Sequence, residues 1–219
     1  MPLTLYGIAA SRTSRPLWAA EELGLQYQHV PVDYKIGATH TADFLQLNPN
    51  GHIPVLVDQR EEGEIVVWES MACVLYLVRH HGKSDGVGIT PANAYEDAQA
   101  LRWSFWAMTT IEADALTVLM HLRAMPEERR KPALAASAQK RLAAPLAVLE
   151  AELLAQQAAG HAWLAGGRFT VADLCVASVV AWLLPARELL AAHPTCKAWL
   201  DTCLARPAQQ TVRALGKAH

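Results

Sequence analysis

An α/β domain followed by an all-helical domain is predicted for this chain of 219 residues by three observations. Short β-prone runs alternate with helical spacing only through about residue 81. A glycine-rich stretch then interrupts the chain, and beyond it apolar residues recur at helical spacing alone. The expected layout is residues 1–82 as a βαβ-ββα domain, 83–92 as a linker and 93–219 as an all-helical domain.

The elements follow in order. Met1-Pro2-Leu3-Thr4-Leu5-Tyr6 reads as a first strand and not as a secretory leader, because it has neither a basic start nor a long apolar stretch. Ser14 or Thr13 can cap a helix whose first turn tolerates Pro16, and Gly24 falls where a helix ends in the left-handed region. Residues 27–32 form the second β-prone run, and an irregular segment follows. Val55-Leu56-Val57 and Ile65-Val66-Val67-Trp68 read as a hairpin joined by the charged stretch 58–64. A helix beginning near Glu69-Ser70 has Ala72, Leu75, Tyr76 and Val78 on one face and stops at His80-His81-Gly82.

In the helical half, Asn93 to Glu96 forms an N-x-x-E capping box that opens a long helix through Trp103 and Trp106. Pro126 with Glu127-Glu128 starts another, in which Leu142, Leu146, Leu149 and Leu153 repeat at helical spacing. Thr170-Val171-Ala172-Asp173 is a further capping box, with Phe169 and Leu174 placed as a hydrophobic staple. Pro185 ends or kinks that helix, and Pro194 and Pro207 mark later boundaries. The longest uncharged run, 174–186, has 13 residues. That is too short to cross a bilayer of about 30 Å, so a buried helix is expected.

Composition excludes several function classes. The net charge is −2, with no basic excess to displace counterions from nucleic acid or to hold an anionic membrane. Arg129-Arg130-Lys131 follows Glu127-Glu128 directly and reads as a solvated helix face. Residues 1–82 carry 5 basic and 9 acidic side chains and residues 83–219 carry 14 and 12, a weak electrostatic bias for packing the halves together. Charged residues make up 18% of the chain and apolar ones 52%, enough for a sizeable core. Cys73, Cys175, Cys196 and Cys203 show neither a C-x-x-C pair nor zinc-ligand spacing with histidine. Buried free thiols, no metal and a cytoplasmic location are the expectation.

Three constellations bear on chemistry. Ala10-Ser11-Arg12-Thr13-Ser14-Arg15-Pro16 puts hydroxyls between the first strand and the first helix, where free N–H groups and the helix dipole stabilise an anion. The plainer reading of these hydroxyls is a helix cap and a loop residue. Asn48-Pro49-Asn50-Gly51-His52-Ile53-Pro54-Val55-Leu56 places a proline directly before a strand. A cis Ile53-Pro54 bond would turn the Ile53 N–H and C=O outward to pair with an extended peptide, whereas a trans bond would simply start the strand. Trp68-Glu69-Ser70 ends a strand and opens a helix, so it can receive both the carboxylate and the ammonium of an amino-acid head group, or merely cap the helix.

In this order, ahead of an all-helical half, the constellations resemble the cytosolic glutathione transferases over essentially the whole chain. The segment from Asn48 to Leu56 is similar to the family's N-P-x-G-x-[IV]-P-x-L signature, Glu69-Ser70 with Tyr76-Leu77 to its glutamate-serine pair, and Thr170 to Asp173 to its capping box. The resemblance implies a thioredoxin-like N-terminal domain, a glutathione co-substrate, no metal, detoxification chemistry and a homodimer. No cysteine precedes Cys73, and Tyr6 lies inside the first strand. The spacing Ser11…Arg15 is that of the serine-type classes such as theta and phi. Ser11 is therefore the expected thiol-activating residue, with Ser14 as the fallback. It would donate a hydrogen bond to the thiolate and would not act as a base.

Carried over by position, Ile53 pairs with the cysteinyl backbone, Pro54 holds that geometry, Glu69 and Ser70 hold the γ-glutamyl end, and His52 and His40 face the glycine carboxylate. His52 matches a position often lysine or glutamine in the family and His40 another basic or polar one, and histidine at both is a departure. The resemblance puts a small apolar electrophile against Ile8, Ala9 and Ala10 and the first helix of the helical half, where Trp103, Trp106 and Thr110 are candidates. Core packing competes for the two tryptophans. Glutathione-dependent isomerisation, peroxide reduction or dehalogenation would use the same site, and a non-catalytic ligand- or protein-binding member is the rival of another class.

Overall fold

The computed structural model describes residues 3–217; Met1 and Pro2, read above with the first strand, and Ala218 and His219 lie outside the described residues. The chain divides into two compact units, Met1–Thr90 together with Arg206–His219, and Pro91–Ala205.

The first unit is built on a four-stranded sheet in the order β2-β1-β3-β4, with β1 Leu3–Tyr6, β2 Tyr27–Val30, β3 Val55–Arg60 and β4 Gly63–Trp68. β1 runs parallel to β2 and antiparallel to β3, with Tyr6 opposite both Val30 and Val55. Helix α1, Ser14–Glu22, crosses from β1 to β2, and Gly24 ends it at φ 63° as the sequence predicts. The hairpin departs from expectation: Asp58, Gln59 and Arg60 stay paired in the ladder with Ile65, Glu64 and Gly63, leaving only Glu61-Glu62 to turn. Asp58 can sit there because its buried Oδ2 accepts from Arg60 Nε at 2.6 Å, Tyr76 Oη at 2.8 Å and His81 Nε2 at 2.8 Å. Those contacts hold its carboxyl below the ordinary aspartate range despite burial, which acts the other way.

Within the segment read as irregular lies a short helix, α2 Ala42–Leu47, whose first turn Thr41 caps by accepting from Phe44 N. Phe44 packs with Val55 and Val57, and Tyr6 and Ile53 pack against them. Helix α3, Ser70–His81, ends at Gly82 as expected and packs on α1.

The second unit is helical. α4 Ala94–Trp106 and α5 Glu112–Leu119 are joined by a π-helical segment, Ala107–Ile111, and a second one, Met120–Ala124, extends α5. Asn93 caps α4 by accepting from Glu96 N, but the Glu96 carboxylate accepts from Ala92 N at 2.8 Å instead of closing the expected reciprocal box. Arg168, which forms an ion pair with Glu96, shares that carboxylate.

Pro126 and Glu127-Glu128 do not open a helix. They lead into a single 3₁₀ turn, and α6 runs Pro132–Ala158 with Pro132 in its first turn. The Arg130 guanidinium binds the carbonyls of Met125 and Arg123 at 2.8 Å each, holding the connection bent before α6 begins. Leu142, Leu146, Leu149 and Leu153 form its fully inward row.

α7 Val171–Val180 starts at the Thr170–Asp173 box, where both reciprocal bonds are made. Asp173 also accepts from Leu164 N and from Trp199 Nε1 on α9 Pro194–Leu204, with α8 Arg187–Ala191 between the two helices. Glu150 of α6 takes the N–H groups of Thr195 and Cys196 at 2.9 and 2.7 Å, so a carboxylate from another helix caps α9.

The chain then returns to the first unit as α10, Pro207–Leu215, which packs along α1. Arg206 forms a two-pronged ion pair with Glu22 at 2.6 and 2.7 Å, and Glu22 also accepts from Trp18 Nε1.

Candidate functional site

Residues 7–16 lead from β1 into α1, and close packing at Gly7 shapes them. A Cβ at Gly7 would stand 2.2 Å from Thr13 Oγ1 and 2.9 Å from Ile53 Cβ, so only glycine lets these two segments meet. Ser11 is held at the turn: Oγ lies 2.7 Å from the Ile8 carbonyl and 3.0 Å from Thr13 Oγ1, and it accepts from Thr13 N at 3.1 Å. With one proton, it donates to one of the two oxygens at a time. Thr13 is fully buried and occupies the N-cap position, but no side chain caps α1, contrary to the expectation for Ser14 or Thr13. The N–H groups of Ser14 and Arg15 donate instead to the carbonyls of Ser11 and Arg12, and Pro16 has none, so the end of α1 beside Ser11 offers its dipole rather than free donors.

The second segment is organised by Asn48, which is 2% exposed. Its Nδ2 donates to the His52 carbonyl at 2.7 Å, and its Oδ1 accepts from Asn50 N and Asn50 Nδ2. The loop delivers Ile53 to the edge of β3 with a cis Ile53-Pro54 peptide bond. Among the described residues, no other backbone group takes the Ile53 N–H or C=O. His40 lies against this loop: a Cβ at Gly51 would come within 3.2 Å of His40 Nε2. His40 and His52 are both exposed, and the structure brings their loops together.

The third segment opens α3. Glu69 has φ 70° and ψ 118°, making it the sole non-glycine residue at positive φ among the described residues. Such a backbone costs of order 1–3 kcal/mol and persists where the surroundings enforce it, often at binding sites. Its exposed side chain makes no cap, while Ser70 beside it is 2% exposed. Ser70 Oγ accepts from Arg15 Nη1 at 2.9 Å, which ties the first turn of α1 to the first turn of α3. Sequence reasoning used Arg15 only as a spacing marker. The available signal was a charged residue leading a helix that continues Pro16-Leu17-Trp18-Ala19-Ala20, all of them buried.

The remaining candidates divide between the units. Ile8 is buried and Ala10 exposed in the first unit, flanking Ser11 in sequence. In the second unit Trp103 is 3% exposed and meets the half-buried Trp106 edge to face at 5.1 Å, with the Arg102 guanidinium over the Trp103 ring. Trp103 is core, the competing expectation. Thr110 is exposed and lies in the π-helical segment, a local widening common at functional sites. Tyr6 is packed in the sheet core, and all four cysteines are buried thiols outside any disulfide. Burial pushes the thiols of Cys73 and Cys196 up to about 12.

Against known families, residues 1–79 match the model for the glutathione S-transferase N-terminal domain and residues 112–207 that for its C-terminal domain. The chain is 34% identical to glutathione S-transferase GstB of Escherichia coli (strain K12) over 96% of this chain and 97% of that protein. It is 36% identical to glutathione S-transferase 3 of Zea mays over 98% and 95% of the two chains. Among solved structures, a glutathione S-transferase-I bound with the ligand lactoylglutathione superposes with a TM-score of 0.83 at 28% identity, covering 98% of this chain and all of that one.

Proposed function

The chain belongs to the glutathione S-transferase family, and from that footing we propose that it activates the thiol of glutathione through Ser11 and transfers the sulfur to small apolar electrophiles. The observation that carries this reading is the convergence at Gly7 of the Ser11 loop and Ile53, with Arg15 linking the same helix to Ser70. An extended tripeptide would pair its cysteinyl backbone with the N–H and C=O of Ile53 beside Pro54. Glu69 would take its ammonium, Ser70 and the α3 N-terminus its γ-glutamyl carboxylate, and His40 and His52 the glycine carboxylate. A relative that binds lactoylglutathione supports the tripeptide as ligand.

Free glutathione is only a few per cent thiolate at neutral pH. In the site, Ser11 would turn its proton from the Ile8 carbonyl or Thr13 Oγ1 to the sulfur while still accepting from Thr13 N–H. A hydroxyl donor to an anion is worth roughly 1.5–3 kcal/mol, about one to two pKa units, and the uncapped end of α1 adds to it. Within the first unit, the electrophile would be met by Ile8 and Ala10, which flank Ser11 in sequence.

A homodimer in the cytoplasm belongs to the same reading. Exposed apolar side chains support it, namely Ile65, Val66 and Trp68 in the first unit and Tyr95, Leu101 and Phe105 in the second. No helix among the described residues is long and apolar enough to cross a membrane.

The test is to titrate the protein with glutathione and follow thiolate ultraviolet absorbance against pH. Wild type is expected to ionise bound glutathione about one to two units below the free thiol, Ser11→Ala to abolish the shift and Ser14→Ala to keep it. Binding without a shift would overturn the catalytic reading in favour of a ligand-binding member of the family.

A further inference from the structure

Arg15 is 1% exposed in the first turn of α1, and the buried residues that follow it in the helix, Pro16 to Ala20, are apolar. A guanidinium stays ionised at any ordinary pH, so its burial brings a permanent positive charge into the interior beside the site. Its Nη1 donates to Ser70 Oγ at 2.9 Å, across 55 residues of sequence. Two consequences follow from hydrogen-bond chemistry. The Ser70 oxygen is engaged as an acceptor, so its single proton is directed elsewhere, and a hydroxyl accepting from a cation becomes a stronger donor.

Ser70 is also the first residue of α3, whose N-terminal end no side chain caps. The polarised hydroxyl, the free N–H groups of α3 and the buried cation therefore act on one point. An ammonium, which itself brings three donors, is repelled there; a carboxylate is complementary.

We infer that Arg15 is the positioning residue for the α-carboxylate of the γ-glutamyl group: it fixes Ser70 as a hydrogen-bond donor and supplies the charge behind it. This rests on the reading of the site as a glutathione site. It adds that selection of the γ-glutamyl end depends on α1 as well as on the Glu69-Ser70 pair.

The experiment compares binding of glutathione with binding of γ-aminobutyryl-cysteinylglycine, the same tripeptide without that carboxylate. The proteins are wild type, Arg15→Met, Arg15→Lys and Ser70→Ala, with melting temperatures recorded alongside. Wild type is expected to prefer glutathione by about 10- to 100-fold. Arg15→Met lowers that preference at least about tenfold while affinity for the analogue stays within about twofold. Arg15→Lys keeps a charge but not the guanidinium geometry, and lowers it about threefold. Combining Arg15→Met with Ser70→Ala adds little to either change, because one acts through the other. A parallel loss for both ligands, leaving the preference intact, makes Arg15 a mere strut and overturns the inference. If Arg15→Met does not fold, an unchanged preference in Arg15→Lys overturns it equally. Wild type that binds neither tripeptide removes the glutathione reading itself, and this inference with it.

Discussion

Two helices of this protein begin with a hydroxyl residue and an acid close together, and the two ends are finished in opposite ways. At α7, Thr170 accepts from Ala172 N, and the fully buried Asp173 takes the N–H groups of Thr170 and Leu164 and the indole of Trp199. The N–H groups of Thr170, Ala172 and Asp173 are thus taken inside the fold. At α3, Glu69 is exposed, lies at positive φ and caps nothing, and the hydroxyl of Ser70 is held from behind by Arg15. A helix end closed on itself locks neighbouring segments together. An end left open keeps its dipole and its N–H groups for something that arrives from solution.

Removing the closed end gives the largest effect. Asp173→Ala is expected to lower unfolding stability by about 4 kcal/mol in urea titrations, because three buried donors lose a charged acceptor. A loss under about 1 kcal/mol would mean that the α7 end is not the lock described here. The same carboxylate sharpens the comparison through pH. Burial outweighs its hydrogen bonds and pushes the Asp173 carboxyl up to about 6, above the ordinary 3.8. The folded value being the higher one, this contribution is full below pH 3.8 and lost as pH rises through 6. Relative to Asp173→Asn, wild type should therefore gain about 1.4 kcal/mol between pH 7 and pH 5. A flat difference across that window contradicts it.

The open end should answer with the other sign. Glu69→Gly relieves the positive φ and is expected to raise stability by about 0.5–1 kcal/mol, after the entropy cost of glycine, while weakening glutathione binding at least about tenfold. Destabilisation by this change would remove the contrast between the two ends. The smallest effect concerns Cys73, one turn into α3 and fully buried. A helix N-terminus lowers a thiol pKa where the thiol is accessible, but here burial prevails and raises it. Native protein should leave Cys73 unmodified by an aromatic disulfide reagent while free glutathione in the same tube reacts to completion. Rapid labelling would show that the open end reaches deeper than Ser70.

Local chemistry explains which features the sequence made legible. The βαβ-ββα order, Gly24, the Thr170–Asp173 box and the Ile53-Pro54 segment each depend on neighbours within a few residues, and each was visible. The strands of the hairpin read shorter in sequence than they are, because Asp58 and Arg60 look like solvent-facing charges. Their partners Tyr76 and His81 arrive from α3, and sequence spacing carries no trace of them. α2 leaves no periodic signal in the sequence, since Phe44 is the single buried anchor of so short a helix. Pro126 with two glutamates is a sound helix start that Arg130 overrides by seizing the carbonyls of Met125 and Arg123. At the candidate site, the motif residues were all visible, whereas the roles of Gly7 and Arg15 depend on segments 46 and 55 residues away.

The ion pair between Arg206 and Glu22 has a consequence for how the protein is made. The first unit is discontinuous: α10 packs on α1, and Gly216 lies against Ala9 and Ala10, next to Ser11. A ribosome that has finished the sheet must still add residues 91–205 before this last helix emerges, a delay on the order of ten seconds at bacterial or eukaryotic speeds. Throughout that interval α1 waits with its outer face uncovered and Glu22 without its arginine. The nascent sheet domain thus lacks the α10 contacts of the finished fold until residues 206–215 emerge, and the turn that carries Ser11 is completed only then.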